Sequence, residues 1–485
     1  MVAAPHRIEP WNPRMQSRRG RGQVLRAHVA RECERGTGCR LSDQTDQGER
    51  NEGGLRRDAK GTTVSSAPRG HSVLLIVENC SVPFDTRVWR EAVSLRDAGY
   101  DVSVISPLGP TDTARHELRD GVHIYRHPLE SSASSTFGYL GEYASALVWE
   151  LRLALALSRS GDVDVVQICN PPDVLFLVAG ILKAMTGCSV IFDHHDLSPE
   201  LFIAKFQRKG MLHILLRLAE RATFATADVV LSTNESYREI ALTRGGKSAD
   251  AVYVVRNGPR TSDVVRMEPN DGLRHGRRFL VGYVGMIAEQ DGLDLLLEAA
   301  HHLVHARRRD DVQFLIVGDG PMKTEVRNLA ETLGLADYVT FAGFITGARL
   351  REMISSMDVC VGPDAKNQYN DASTMVKAVE AMAFGKPFVQ FDLVEGRRTA
   401  GAASLYATSS STMDLGDKIA LLLDDASLRR QMSEFAVTAF HDRLSWDVQE
   451  PELLRAYRRA VAATERRRRR RRRLLQPAWS AWLRR

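Results

Sequence analysis

Between Asn370 and Pro387 the chain reads N-D-A-S-T-M-V-K-A-V-E-A-M-A-F-G-K-P. Ser373 and Thr374 are capping residue types, Lys377 and Glu380 stand one helical turn apart, and Gly385-Lys386-Pro387 closes the segment before the apolar run Phe388–Phe391. A helix opened this way would turn free N–H groups and the positive end of its dipole toward an anion. With Lys377 one turn in and Glu380 beyond it, the segment could cradle a nucleotide sugar, the carboxylate bonding ribose hydroxyls. An amphipathic helix with a glycine stop accounts for the same letters.

A second constellation is D-H-H-D-L-S-P-E at 193–200, which follows an apolar run. His195 with Asp196 and Glu200 would then sit in a loop at a strand's carboxyl end, where a histidine can act on a bound substrate. Arg256-Asn257-Gly258-Pro259 and Gly318-Asp319-Gly320-Pro321 are turn sequences after apolar runs, the second a place where backbone could approach a phosphate. Arg87 and Arg90 open a helical pattern, and Arg90 can pair with a carboxylate such as Glu91. The D-x-D string at 162–164 resembles a metal-binding motif, but it leads into a buried strand and is read as structural.

These residues need elements to hold them. Residues 1–70 are rich in arginine, glycine and polar residues without a sustained period, and are read as a disordered basic extension. From His71, apolar runs without a polar face at 73–77, 101–106, 163–169, 189–193, 228–233 and 252–256 alternate with helical spacing at 84–98, 138–160, 173–186, 211–225 and 235–243. A basic linker at 261–278 precedes a second series, with strands near 279–284, 312–317, 339–341, 359–361 and 388–391, and helices between them. This is an α/β chain of two doubly wound domains, 71–260 and 279–440, whose ligands belong beyond the carboxyl ends of the strands. Helical spacing resumes at 441–463, expected to pack back toward the first domain, and residues 464–485 form an arginine-rich tail.

Charge excludes some functions. The whole chain is +6, but 1–70 carries +6 and 464–485 carries +9, so the body 71–463 is −9, which argues against a dedicated nucleic-acid binder. Six scattered cysteines without C-x-x-C pairs suit a reduced, cytoplasmic protein, and no apolar stretch is long enough to span a bilayer. The eight arginines Arg466–Arg473, with Trp479 and Trp482, are read either as a solvated run or as a patch for anionic lipid. The stretch Lys205–Ala225 is read as a core-facing helix, with membrane contact the alternative.

Together, E-N-C-S-V-P-F-D-T-R-V-W-R-E-A (78–92), D-H-H-D-L-S-P-E (193–200), E-R-A-T-F-A-T-A-D (220–228), R-N-G-P (256–259), Y-V-G-M-I-A-E-Q-D-G-L-D (283–294), V-G-D-G-P (317–321) and 370–387 resemble a retaining glycosyltransferase of family 4 (group 1) over about 72–463. The chain is similar to a branch with S-T-x-x-K-x-x-E in place of the paired-glutamate motif: Ala372 stands where a Glu is common, and Met286 and Asp291 where Arg and Lys often bind the donor diphosphate. The resemblance implies a GT-B architecture of two facing Rossmann-like domains with a C-terminal helix and disordered basic tails. It implies His195, Lys377 and Glu380 as catalytic residues, and donor contacts from Ser373, Thr374, Met375, Lys377, Glu380, Arg256, Asn257, Gly285 and Gly320. On the acceptor side it implies Asp85, Arg87, His195, Asp196 and Glu200, with Arg87 or Arg256 helping to carry the diphosphate charge.

The function expected from this resemblance is transfer of a sugar with retention from a nucleoside diphosphate sugar, UDP rather than GDP, to an acceptor hydroxyl. The setting would be polysaccharide, glycolipid or glycoconjugate biosynthesis, with no cofactor or metal. The acceptor is a sugar, a lipid-linked or a small molecule, chosen by the loops 109–119 and 131–141. The expected place is the cytoplasm, with peripheral contact at the inner, anionic face of the cell membrane as an option, and no specific nucleic acid as partner. Two alternatives are a nucleotide-sugar epimerase of the same fold and a non-catalytic nucleotide-binding scaffold.

Overall fold

The computed structural model describes residues 70–109, 112–128 and 136–482. The extension 1–69, residues 131–135 of the second expected acceptor loop and 483–485 lie outside the described residues.

The first half runs β1 (Ser72–Val77), α1 (Thr86–Asp97), β2 (Asp101–Pro107), β3 (His116–Arg119), β4 (Val122–His127), α2 (Thr136–Ser160), β5 (Val165–Cys169), α3 (Phe176–Thr186), β6 (Ser189–His194), α4 (Ser198–Phe206), α5 (Met211–Thr226), β7 (Val229–Ser232), α6 (Glu235–Thr243) and β8 (Val252–Val254). Its sheet has the order β3-β4-β2-β1-β5-β6-β7-β8, parallel except for the β3–β4 pair. Successive residues of β1 feed opposite cores. Val73, Leu75 and Val77 pack with α1 and the C-terminal helix, whereas Leu74 and Ile76 pack under α2, α3 and α5. Burial on both faces is why this strand lacks a polar alternation.

The β3–β4 hairpin corrects one expectation. His116–Arg119, assigned to an acceptor loop, is an edge strand joined to β4 through Asp120 (φ 46°) and Gly121 (φ 74°). An Asp-Gly pair with positive φ at both residues is the signature of a tight hairpin turn.

The second half runs β9 (Phe279–Val284), α7 (Leu293–His301), β10 (Val312–Val317), α8 (Lys323–Thr332), β11 (Val339–Gly343), α9 (Gly347–Ser356), β12 (Val359–Gly362), α10 (Gln368–Ala372), α11 (Val376–Ala383), β13 (Phe388–Phe391), α12 (Val394–Ala400), β14 (Ser404–Ala407), α13 (Thr412–Asp424) and α14 (Ala426–Ala439). Its six parallel strands have the order β11-β10-β9-β12-β13-β14. The segment 261–278, expected as a linker, is pinned to this half: Asn270 N–H donates to Ser356 Oγ at 2.8 Å and the Arg274 guanidinium pairs with Asp358.

The chain then returns to the first half as α15 (Trp446–Trp482). Trp446 and Tyr457 are fully buried there; Trp446 Nε1 donates to Ser94 Oγ at 2.8 Å and the Tyr457 hydroxyl to Gln167 Oε1 at 2.6 Å. Where the sequence reading begins a tail at Thr464, the helix continues. Thr464 bonds the Asp164 carbonyl, Arg467 donates to the Gly187 and Cys188 carbonyls and pairs with Asp228, and Arg468 pairs with Asp164. The D-x-D string therefore lies at the base of the first sheet, where Asp164 also takes His71 Nδ1 at 2.8 Å.

Candidate active site

The carboxyl ends of the two sheets meet. Asn234, just after β7, donates its amide to the Ala372 carbonyl at 2.9 Å and to Thr374 Oγ1 at 3.0 Å, while its own Oδ1 accepts from Tyr237 N–H and caps α6. The Tyr237 hydroxyl lies 3.1 Å from Ser373 Oγ, and Tyr369 bonds Asp196 across the same seam.

On the first side, β6 carries Asp193 next to its end, and the two Asp193 oxygens accept from Arg87 Nε (3.0 Å) and Nη2 (2.7 Å). Arg87 Nη1 donates to the Val255 carbonyl at 2.9 Å, and Nη2 lies 3.1 Å from Glu91 Oε1. Burial opposes these charges; against it, the two carboxylates hold the guanidinium firmly protonated, and Arg87 in turn holds Asp193 below the usual carboxylate range. Arg87, expected at the acceptor side and beside the diphosphate, is thus sealed inside the first half. It is Arg87, not Arg90, that pairs with Glu91. Asp85 accepts from Arg87 N–H and Val88 N–H and so caps α1, and Glu200 is held by Arg244. Two of the five acceptor-side candidates stand in the loop directly after β6.

These are His195 and Asp196. Their backbone N–H groups both donate to Asn170 Oδ1, at 2.9 and 3.2 Å, which fixes the loop. His195 Nδ1 lies 3.6 Å from Asp193 Oδ2, and its Nε2 has no hydrogen-bond partner among the described residues. Its neighbour His194 is a different case. Burial pushes it down to about 3, so it is a neutral ring packed against Phe192, Phe224 and Tyr237.

On the second side, the loops after β9 and β10 press together. A Cβ on Gly318 (φ 146°) would stand 1.8 Å from the Gly285 carbonyl oxygen, and one on Gly320 2.4 Å from that of Ile287. Only glycine allows this contact. Gly285 and Gly320 are therefore held where these two loops meet, Gly285 against Gly318 and Gly320 against Ile287.

The cap on the next helix differs from expectation. α11 begins at Val376 after Met375, with no side-chain cap: Ser373 Oγ donates to the Tyr369 carbonyl at 2.7 Å, and Thr374 Oγ1 takes the Asn234 amide. Both hydroxyls are engaged by the seam between the halves, which leaves the first N–H groups of α11 without one.

Lys377 is enclosed: Nζ lies 2.7 Å from Asp364 Oδ1, 3.0 Å from Asp291 Oδ1 and 3.4 Å from the Tyr283 hydroxyl. Burial would lower its pKa, but the two carboxylates and Tyr283 raise it, and the lysine stays charged. Asp291 Oδ2 and Asp364 Oδ2 have no partner among the described residues. Glu380, one turn on, is raised above its usual pKa by burial, an effect opposed by Arg90 from α1 of the first half. Arg256 Nη1 meets Glu395 Oε1 at 3.3 Å, and Asn257 follows it, half-buried, at the crossover to α15, where Gly258 is packed against the Leu444 carbonyl.

Sequence reasoning missed Asp364, Asn170, Asn234 and Lys205 as site residues. Lys205, at the end of α4, lies in the field of Asp196, Asp291 and Glu289. Asn170-Pro171-Pro172-Asp173, at the end of a buried strand, was a readable signal; the other three depend on partners far away in the sequence.

Comparison with known proteins agrees with this geometry. Residues 85–258 match the "Glycosyl transferase 4-like domain" and 278–425 the "Glycosyl transferases group 1" family model. The chain is 26% identical over 385 residues to an alpha-D-kanosaminyltransferase of Streptomyces kanamyceticus, covering 76% of this chain and 97% of that protein. It is 30% identical over 315 residues to a D-inositol 3-phosphate glycosyltransferase of Acidothermus cellulolyticus, covering 56% and 67%. Its fold matches that of Anabaena Alr3699/HepE, solved in complex with UDP and glucose, with a TM-score of 0.60 at 16% identity, over 80% of this chain and 99% of that one. With the two facing sheets, the seam of the cleft and both family segments in place, the chain belongs to the group 1, family 4-like glycosyltransferases of GT-B fold.

Proposed function

We propose that the protein transfers a sugar with retention from a UDP-sugar to a hydroxyl of a sugar, lipid-linked or small-molecule acceptor, in polysaccharide, glycolipid or glycoconjugate biosynthesis at the cytoplasmic side of the membrane. The observation that carries this reading is the seam at which Asn234 of the first half bonds the Ala372 carbonyl and Thr374 Oγ1 of the second and Tyr237 meets Ser373, so that the loop of His195 and Asp196 faces the segment that carries Lys377 and Glu380. The solved UDP complex of a protein of the same fold favours UDP.

In this reading Glu380 accepts the ribose hydroxyls, and the start of α11 with Lys377 receives the diphosphate. The acceptor enters from the side of His195 and Asp196. Its hydroxyl oxygen attacks the anomeric carbon from the face that the diphosphate leaves. The bond from carbon to phosphate oxygen breaks as the new one forms, and the hydroxyl proton passes to the departing phosphate. Protein charges stabilise the oxygen that gains negative charge. No resident metal is invoked, because the D-x-D string is engaged at the far end of the sheet.

The test is a screen of the full chain against UDP- and GDP-sugars, reading released nucleotide, with Glu380→Gln as control and the anomeric configuration of the product read by NMR. Release of UDP that the control loses, with an axial donor bond kept axial in the product, supports the reading. An inverted product or GDP-selective release overturns the corresponding part.

A further inference from the structure

We propose that the outer faces of α3 and α5 form a docking surface for an anionic lipid bilayer. This deepens the acceptor reading above by giving the acceptor a location, and its test is independent of any transfer activity. Lys205–Ala225, expected to face the core, does so on one side only. Glu220, Thr223 and Phe224 of α5 are buried toward the sheet, while Met211, Ile214, Leu215 and Leu218 on the opposite side are between 52% and 76% exposed. Neighbouring α3 repeats the pattern: Val178, Ala179 and Leu182 are buried, and Leu177, Ile181 and Met185, four residues apart along its outer face, are 40% to 52% exposed.

The two helices pack against each other on the same face of the first sheet, so these stripes look the same way. Monomeric soluble surfaces rarely leave apolar stripes of this kind on two neighbouring helices without a partner.

Charge says which partner. Arg208, Lys209, Arg217 and Arg221 are exposed around the α5 stripe, and the one acid between 205 and 226, Glu220, is buried in an ion pair with Arg244. At the other end of the α3 stripe, Arg471 donates to the Met185 carbonyl and Arg468 to that of Thr186. An apolar face rimmed by cations fits the boundary between acyl chains and anionic headgroups. Within the arginine run, Arg467 and Arg468 are thus tied to the base of the first sheet, and Arg471 stands at the rim of this surface.

The experiment is co-sedimentation of the full chain with phosphatidylcholine vesicles, with and without phosphatidylglycerol, for the wild type and Leu215→Glu/Leu218→Glu, beside light scattering of each protein alone. The expected result is binding to the anionic vesicles that weakens with salt and falls at least about tenfold in the double variant, with donor hydrolysis in solution unchanged. Equal binding by both proteins would overturn the proposal in favour of the tail alone. A wild type that ignores vesicles would overturn it too, and a dimer that the double variant dissolves would identify a second copy as the occupant.

Discussion

Each half of the molecule holds a buried cation between two carboxylates, and the two clusters are built to opposite ends. In the first half Arg87 grips Asp193 with two parallel bonds, adds Glu91 and a backbone carbonyl, and is closed from solvent. In the second, Lys377 reaches Asp364 and Asp291 with one ammonium, at the edge of the cleft, and one oxygen of each carboxylate is left over. A planar fork with matched acceptors is a fixed clamp; a point charge shared by two partners can be redistributed when an anion arrives. A cation between two carboxylates therefore serves architecture in the first half and, on the function proposed above, binding in the second.

The largest effect that would break this comparison is at the clamp. Arg87→Met leaves Asp193 buried without its counter-charge and is expected to cost about 3–5 kcal/mol in denaturant unfolding; a smaller loss would mean that water reaches the pair. Lys377→Met should instead act on catalysis, lowering kcat/KM for the donor by about a hundredfold, or about 2.7 kcal/mol, with a smaller loss of stability. An unchanged donor KM and turnover would remove Lys377 from the site.

Asp291→Asn sharpens the contrast, because it frees part of the lysine's charge. Donor KM is expected to fall several-fold, and a rise would show that Asp291 itself binds the substrate. Next comes pH. Burial raises Glu380, so donor binding that needs its carboxylate is lost as pH falls through that raised pKa. Arg90→Gln removes the opposing charge and should move the acid limb of the donor-binding profile to higher pH by up to about one unit; a shift the other way refutes the pairing. The smallest effect is at the seam: Asn234→Ala removes a helix cap and two bonds to the second half, with an expected cost of about 1–2 kcal/mol by thermal unfolding.

Much of this site was legible in local sequence. Strands such as Val73–Val77 and Val312–Val317, the second broken only by the buried Gln313, were readable because burial on both faces leaves a largely apolar run. The Asp120-Gly121 hairpin was equally readable and was missed because its edge strand, H-E-L-R, carries little apolar signal. Ser373 and Thr374 look like caps in isolation, and the partners that take them elsewhere, Tyr369, Tyr237 and Asn234, include two from the other half. The outward stripe of α5 escaped the reading for a related reason: an apolar helix face is the same string of letters whether it meets a core or a membrane.

The sequence by itself determined the order of strands and helices in the two α/β halves and the Lys377–Glu380 spacing, since each shows in residues a few positions apart. The tertiary structure alone decided which charges are spent and which remain at the cleft. Arg87 finds Asp193 across 106 positions and Lys377 finds Asp291 across 86, and an ion pair over such a distance leaves no periodic trace in the chain.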